Sequence, residues 1–384
     1  MGSLFDVDDE DEFTYSEYEK SEKAKKKNES MTKWIVALLL ELIALVVIIT
    51  AIIQIKLKIA WENVNFRELT GEDLMISAKA NPDMSEYTNI AFFGVDARDG
   101  SLGAGSNSDS MMIISINNKT KEVKVVSLYR DTLLRIPGQG ISAKANSAFN
   151  YGGPVLGIQM LNQNLDLNVS EYITVNWEAM TRAVDILGGV TVNVNKEELE
   201  QMNEYIAEQI ASNGLVSNGV RETGDVTLNG VQATAYARVR STDQGDITRT
   251  MRQREVLNAM AGKLKKADMG TIDKLIEGTL PYMETSLSEE DFIALVKAVK
   301  DYKLVSAVGF PFEYEYLEDE SRGSSLAPKN LLQNVTALHN YMFGTVAYEP
   351  TDAVRENDSN LSKETGVGDN GPVIVRPENF DDGE

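Results

Sequence analysis

The chain has 384 residues, enough for two or three units at roughly 150 residues each, and its 42% hydrophobic content supplies a sizeable core. Acids outnumber bases 59 to 37, and the net charge of −22 repels phosphate backbones, which excludes nucleic acid as a partner unless a local patch reverses the sign. Cysteine is absent and His339 is the single histidine, so disulfides, thiolate zinc sites and multi-histidine metal sites are excluded and chemistry falls to carboxylates, guanidinium groups and hard cations.

Residues 1–33 run from an acidic stretch (Asp8 to Glu12) into lysines with too few apolar groups for a core, and are expected to form a disordered cytoplasmic tail. Within residues 34–55 the twenty residues from Trp34 to Ile53 carry one charge, Glu41. That length matches a hydrocarbon core of about 30 Å. Lysines crowd the N-terminal flank (Lys20 to Lys33), so the positive-inside rule puts the N-terminus in the cytoplasm and everything after the span outside the plasma membrane. With no cleavage site following, the segment reads as an uncleaved, single-pass anchor.

A connector with helical stretches is expected over 56–88, followed by alternating strand-like and helix-like patterns to 343. Ile90 to Val95, Met111 to Ile116 and Val123 to Leu128 read as strands. Val155 to Leu165 and Ala179 to Leu187 have helical spacing, the second ending at Gly188-Gly189 before the strand-like Val190 to Val194. The alternation predicts a layered α/β domain with a central sheet flanked by helices. Ser288 resembles a helix cap, and Pro328 suits the first turn of a helix running to Phe343. Residues 344–384 are acidic, rich in Gly, Asn and Pro, and are expected to be disordered.

Several charged groups fall at strand ends, where α/β sheets bind ligands. Asp96 and Arg98 end the first strand, and Asp109 opens the second after a glycine-rich loop. Two carboxylates so placed suit Mg²⁺, which keeps waters and takes one or two carboxylates plus phosphate oxygens, although turn capping explains each aspartate equally well. Arg130-Asp131-Thr132 follows the third strand, and Lys144 opens a polar stretch ending in Gly152-Gly153. The densest group is Arg238, Arg240, Asp246, Arg249, Arg252 and Gln253, a local reversal of sign in an acidic chain. Guanidinium forks match phosphate oxygens, so an anionic ligand explains the group; surface salt bridges with the many acids explain it as well. Arg249 and Gln253 share a helical stripe with Leu257, Met260 and Leu264, which places both at the rim of an apolar face.

The order Gly-Val-Asp-Ala-Arg, Ser-Asp-Ser-Met-Met, Arg-Asp-Thr, Lys-x-Asn-x-Ala-x-x-x-Gly-Gly, Val-Asp-x-Leu-Gly-Gly-Val, Leu-Asn-Gly-x-Gln-Ala, Ala-Arg-Val-Arg and Gly-Asp-x-x-Arg-x-x-Arg-Gln resembles the LytR-CpsA-Psr family over residues 89–260. Residues 261–343 look like the extension that some members carry, packed on the catalytic domain. The resemblance implies a domain outside the membrane of Gram-positive-type bacteria, with a hydrophobic pocket for a polyprenyl chain and an arginine-lined mouth for its pyrophosphate. It implies a phosphotransfer: a polyprenyl-pyrophosphate-linked glycopolymer, of teichoic acid or capsular type, moves onto a peptidoglycan hydroxyl and polyprenyl phosphate leaves. Carried over by motif, Asp96 and Asp109 hold Mg²⁺ and with Arg130 form the catalytic set, while Arg98, Lys144, Arg238, Arg240, Arg249 and Gln253 bind pyrophosphate. A non-catalytic prenyl-glycan-binding regulator and a polyprenyl pyrophosphatase are the alternatives. The chain departs from the pattern at Asn107, where many relatives carry arginine, and at Tyr129, where many carry proline. His339 lies outside the motifs and reads as structural.

Overall fold

The computed structural model describes residues 58–59, 61–62, 64–79, 81–96, 101–213, 216–240, 245–320, 322–345, 348–368 and 371–380. The chain divides into a unit of residues 1–58 and one of residues 59–384, and every element below belongs to the second. The expected cytoplasmic tail, the expected membrane span and Arg98 lie outside the described residues. Among the described residues no helix is long and apolar enough to cross a membrane.

Eight strands form one mixed sheet. In chain order they are β1 (Asn65–Phe66), β2 (Tyr87–Val95), β3 (Ser108–Asn117), β4 (Glu122–Leu128), β7 (Glu171–Asn176), β10 (Met283–Thr285), β11 (Lys303–Phe310) and β14 (Glu378–Asn379). Their spatial order is β1-β10-β7-β2-β3-β4-β11-β14. Three two-stranded ribbons complete the set: β5 (Leu133–Arg135) with β6 (Ser142–Lys144), β8 (Val190–Val194) with β9 (Gly224–Leu228), and β12 (Tyr314–Asp319) with β13 (Gly323–Pro328). β7 runs parallel to β2, β11 parallel to β4, and β3 antiparallel between β2 and β4. The C-terminal ends of β2, β4, β7 and β11 therefore meet the start of β3 at one edge of the sheet.

The helices are α1 (Ala145–Leu165), α2 (Trp177–Ile186), α3 (Lys196–Asn213), α4 (Gly230–Tyr236), α5 (Asp246–Lys266), α6 (Met269–Thr279), α7 (Glu289–Lys297), α8 (Leu331–Phe343) and α9 (Asp352–Thr365). Strand alternation divides the sheet's side chains. Phe93, Met111, Ile113, Val126 and Leu128 pack with Ile158 and Leu161 of α1 and with Val335, Leu338 and Met342 of α8. Phe92, Met112 and Val125 face the other way, beside Leu257 of α5. A sheet apolar on both faces requires a helical layer on each, and the result is the mixed α/β architecture that the alternation predicts.

The predicted strands form with longer bounds, and the helix expected from Val155 starts ten residues earlier, at Ala145. It breaks at Gly153 (φ 66°, ψ −156°), where Pro154 cannot continue the hydrogen-bond ladder and a Cβ would come within 3.2 Å of the Ala104 amide nitrogen. Among the described residues the connector is helical at 58–59 and 61, in the four-residue turn Gly71–Leu74 and in a 3₁₀ turn at Pro82–Glu86.

Three expectations are corrected. Residues 261–343 are not an extension packed on a finished domain: β10 and β11 are strands of the main sheet, on opposite sides of the motif-bearing strands. Pro328 ends β13 instead of opening a helix; α8 begins at Leu331, capped by the Asn330 side chain accepting from the Gln333 amide at 2.9 Å. The acidic C-terminal stretch is ordered where it is described. α9 buries Val354 and Leu361, and β14 pairs antiparallel with β11. Composition alone missed these few apolar residues, which sit at the spacing that gives a helix one buried stripe.

Candidate active site

The strand ends carry the chemistry. Gly94 pairs with Ser110 but Val95 pairs with Ser108, so Asp109 is the extra residue of a β-bulge. A bulge re-aims the side chain it carries, and here Asp109 meets Arg130 from the turn after β4. Arg130 Nε lies 3.2 Å from Asp246 in the first turn of α5 and 3.6 Å from Asp131. Asp131 also takes Lys144 Nζ at 3.2 Å. Arg249 reaches Asp246 at 2.6 Å and donates from Nη2 to the Asp109 carbonyl at 3.0 Å. Asp109, Arg130, Lys144, Asp246 and Arg249, scattered over 140 residues of sequence, thus form one ionic cluster.

The cluster is shielded from solvent, and that burial acts on the ionisation of its members. Burial raises the Asp246 pKa, against the opposing pull of Arg249 and Arg130. Burial lowers that of Arg249, which Asp246 and Asp109 only partly offset. For Arg130 burial acts in the same sense, but Asp109, Asp246 and Asp131 outweigh it and raise the pKa. Arg130 Nε, Arg249 Nε and both carboxylate oxygens of Asp246 are buried with no aligned hydrogen-bond partner among the described residues. Their charges are compensated while their donors and lone pairs remain unfilled, the state of a site shaped for a further polar group.

Two cavities adjoin this cluster along α5. A polar cleft of about 440 Å³ is bounded by Arg130, Asp131, Arg240 and Asp246 on one side and the β12–β13 ribbon on the other. One turn along, an apolar slot runs between α5, α2 and the sheet, lined by Phe92, Val95, Met112, Trp177, Met180, Val256 and Leu257. Its free space is about 30 Å³, room for a water or two. Gln253 lines the slot, 6% exposed, with both polar side-chain atoms unpartnered among the described residues. α5 therefore presents a guanidinium, then an amide, then aliphatic groups, in the order Arg249, Gln253, Leu257.

The predicted residues divide accordingly. Arg130, Asp109, Lys144 and Arg249 converge, and Arg240 lines the same cleft from an exposed position. Asp96 is exposed at the end of β2. Arg238 does not converge with Arg240. Its guanidinium lies over the Tyr205 ring at 4.8 Å and 3.5 Å from Glu208 on α3, because the chain after α4 turns through Arg238 and Val239 instead of extending. Arg252 holds that turn: it pairs with Glu198 at 2.8 Å and donates to the Val239 carbonyl at 3.0 Å. Asn107 is exposed. Tyr129 donates its amide to the Phe310 carbonyl at 2.9 Å, a bond that a proline there would forgo, and its ring covers Gly309. Asp131 and Asp246, to which the resemblance assigns no role, are integral to the cluster, each pairing with a base that the motifs carry.

The LytR_cpsA_psr family model matches residues 55–337, reaching beyond the motif region on both sides. The chain belongs to this family. The polyisoprenyl-teichoic acid–peptidoglycan teichoic acid transferase TagU of Oceanobacillus iheyensis is 36% identical over 45% of this chain and 50% of its own length. The protein of the same name from Bacillus cereus is 32% identical over 56% of this chain and 66% of its own length. The chain thus spans half to about two thirds of these relatives. Among solved structures, TagT of B. subtilis superposes with a TM-score of 0.55 at 26% identity, covering 73% of this chain and all of that one.

Proposed function

We propose that this LytR-CpsA-Psr protein is a phosphotransferase that moves a polyprenyl-pyrophosphate-linked glycopolymer, of teichoic acid or capsular type, onto a peptidoglycan hydroxyl and releases polyprenyl phosphate. One observation carries the reading: a polar cleft bearing Arg130 and Arg240 and an apolar slot both border α5, the cleft at Asp246 and Ile247 and the slot at Gln253, Val256 and Leu257, and an amphiphile with an anionic head and a hydrocarbon tail suits both. The names of the relatives, which specify a polyisoprenyl donor and peptidoglycan as acceptor, agree with that shape. Arg130 and Arg240, which line the cleft, would bind the pyrophosphate oxygens, with Arg249 and Lys144 in the ionic cluster behind them and Gln253 in the slot that takes the tail. Transfer of this kind rests on positioning and charge stabilisation, for which no histidine or cysteine is needed.

Four cations (Arg130, Lys144, Arg240, Arg249) face three carboxylates (Asp109, Asp131, Asp246), leaving one positive charge against the two negative charges of a pyrophosphate diester. That deficit, with two hard oxygen donors on adjoining strands, fits Mg²⁺ held by Asp96 and Asp109, although no group of three or more metal-ligating side chains exists among the described residues. When bound, the ion would neutralise charge on phosphate oxygens. The slot as it stands is too narrow for a prenyl chain, so lipid entry would part α5 or α2 from the sheet. Anchorage through residues 34–55 would hold the catalytic domain outside the plasma membrane.

The test is transfer by the full chain in detergent, given lipid-linked teichoic acid and peptidoglycan with and without Mg²⁺. Polymer bound to peptidoglycan, with release of prenyl phosphate that depends on Mg²⁺, is the expected result. Release without transfer would mean that water is the acceptor and the protein a pyrophosphatase; binding without release would mean a regulator.

A further inference from the structure

The ribbon β12–β13 walls the cleft opposite the arginines. Its register sets Tyr316 across from Leu326 and Glu318 across from Ser324. Alternate strand residues share a face, so Tyr314, Tyr316, Glu318, Ser324 and Leu326 lie together, and all but Tyr314 line the cleft. This wall is fixed to the catalytic turn. The Leu326 amide donates to the Asp131 carbonyl at 2.9 Å, and Tyr129, Tyr314, Ile247 and Leu326 form an apolar cluster joining the ribbon to β4 and α5. Tyr314 meets Tyr129 edge-on at 6.0 Å and Tyr316 at 5.5 Å, so the Tyr316 ring is held although it is 53% exposed.

A large aromatic face held open toward solvent, flanked by a carboxylate and a hydroxyl, has the amphipathic character of a sugar: an apolar face of C–H groups with hydroxyls around its edge. We propose that Tyr316, Glu318 and Ser324 form a saccharide subsite that takes a pyranose ring next to the pyrophosphate. Tyr316 covers the C–H face of the ring, Glu318 accepts from its hydroxyls, and Ser324 donates or accepts. The proposal rests on the prenyl-pyrophosphate reading above, which sends the tail to the slot and leaves the saccharide end of the donor, or the acceptor sugar, to this wall. Both sources present the same chemistry.

The full chain in detergent is titrated with two probes, a polyprenyl pyrophosphate and the same lipid carrying N-acetylglucosamine, and its KM for peptidoglycan is measured. For a donor sugar, Tyr316→Ala weakens binding of the sugar-bearing lipid about tenfold and leaves that of the bare lipid unchanged, the scale of one aromatic contact. For an acceptor sugar, both lipids bind Tyr316→Ala as before and KM for peptidoglycan rises by a similar factor. Tyr316→Phe, which keeps the ring face, behaves as the unsubstituted protein in either case. If Tyr316→Ala unfolds, Glu318→Gln at an exposed position reads the same subsite and shows a smaller loss of the same pattern. Equal binding of both lipids with unchanged KM in both variants overturns the subsite. Failure of the unsubstituted protein to bind either lipid overturns the transferase reading itself.

Discussion

Helix α1 joins two polar networks of opposite character. At its N-terminal end Lys144 enters the ionic cluster of Asp109, Arg130, Asp131, Asp246 and Arg249. At its C-terminal end Asp166, 1% exposed and in the left-handed region (φ 51°), accepts from the Thr351 amide at 2.7 Å, from the Thr351 hydroxyl at 2.5 Å and from the Tyr348 hydroxyl. His339 stacks on Tyr348 with ring centroids 3.7 Å apart, bonds the Leu165 carbonyl at 2.9 Å and lies 3.2 Å from Asn81 Nδ2. These bonds assign the proton to Nε2 and make Nδ1 the acceptor. In this second network the donors and acceptors meet; in the first, charges are balanced but hydrogen bonds are left open. Saturated polar groups make structure, and buried polar groups kept unsaturated are held for a ligand.

The difference is sharpest under Arg130→Ala, which takes one guanidinium from three carboxylates and, on the proposed reading, from the pyrophosphate. We expect transfer to fall about a thousandfold, the upper range for removing a charge-stabilising donor, or about 4 kcal/mol. Release of prenyl phosphate measures it. A collapse of the thermal midpoint with normal specific activity would make this cluster structural like the other.

Asp166→Ala is the converse, leaving three buried donors without an acceptor. Unfolding free energy should drop by about 3 kcal/mol, read from urea denaturation, with turnover of the folded fraction within about twofold. Lost turnover at unchanged stability would erase the distinction between the two ends of α1.

The smallest effect is one of pH. Burial lowers the His339 pKa from 6.5 to about 4, against the opposing influence of the Leu165 carbonyl and Asp166. Below 6.5 the unfolded chain takes up a proton that the folded chain refuses, so this group's contribution to stability falls with pH until about 4. Between pH 7.5 and 5 the loss from this residue should be about 2 kcal/mol. Unfolding curves of the natural chain and of His339→Gln across that range give its share by difference, and identical pH slopes would show that His339 is not held neutral.

The sequence exposed the strands because Ile, Val, Phe and Met fall in short apolar runs of strand length, and it exposed Arg249 because a cluster of bases in an acidic chain stands out. What it hid was pairing and direction. No local pattern says that β10 and β11 enter the same sheet on either side of the motifs, or that Arg238 turns toward Tyr205 while Arg240 turns toward the cleft. Tyr316 carried no signal either, since an alternating Tyr-Glu-Tyr stretch reads as any edge strand until its register against Leu326 places it at the cleft. His339 was legible as structural from its apolar neighbours, but its stacking partner, Tyr348, lay in the stretch taken for a disordered tail.

That tail reaches the slot. Arg254 of α5 grips Glu378 of β14 through two hydrogen bonds, one of 3.0 Å, and Phe380 packs with Met112 and Leu257, two residues that line the slot. On the proposed reading, a hydrocarbon chain that wedged α5 from the sheet would work against these contacts, so lipid loading and tail docking would compete for one helix. By reciprocity, whatever peeled the terminal strand away would tighten lipid binding by the same factor that lipid binding would loosen the strand.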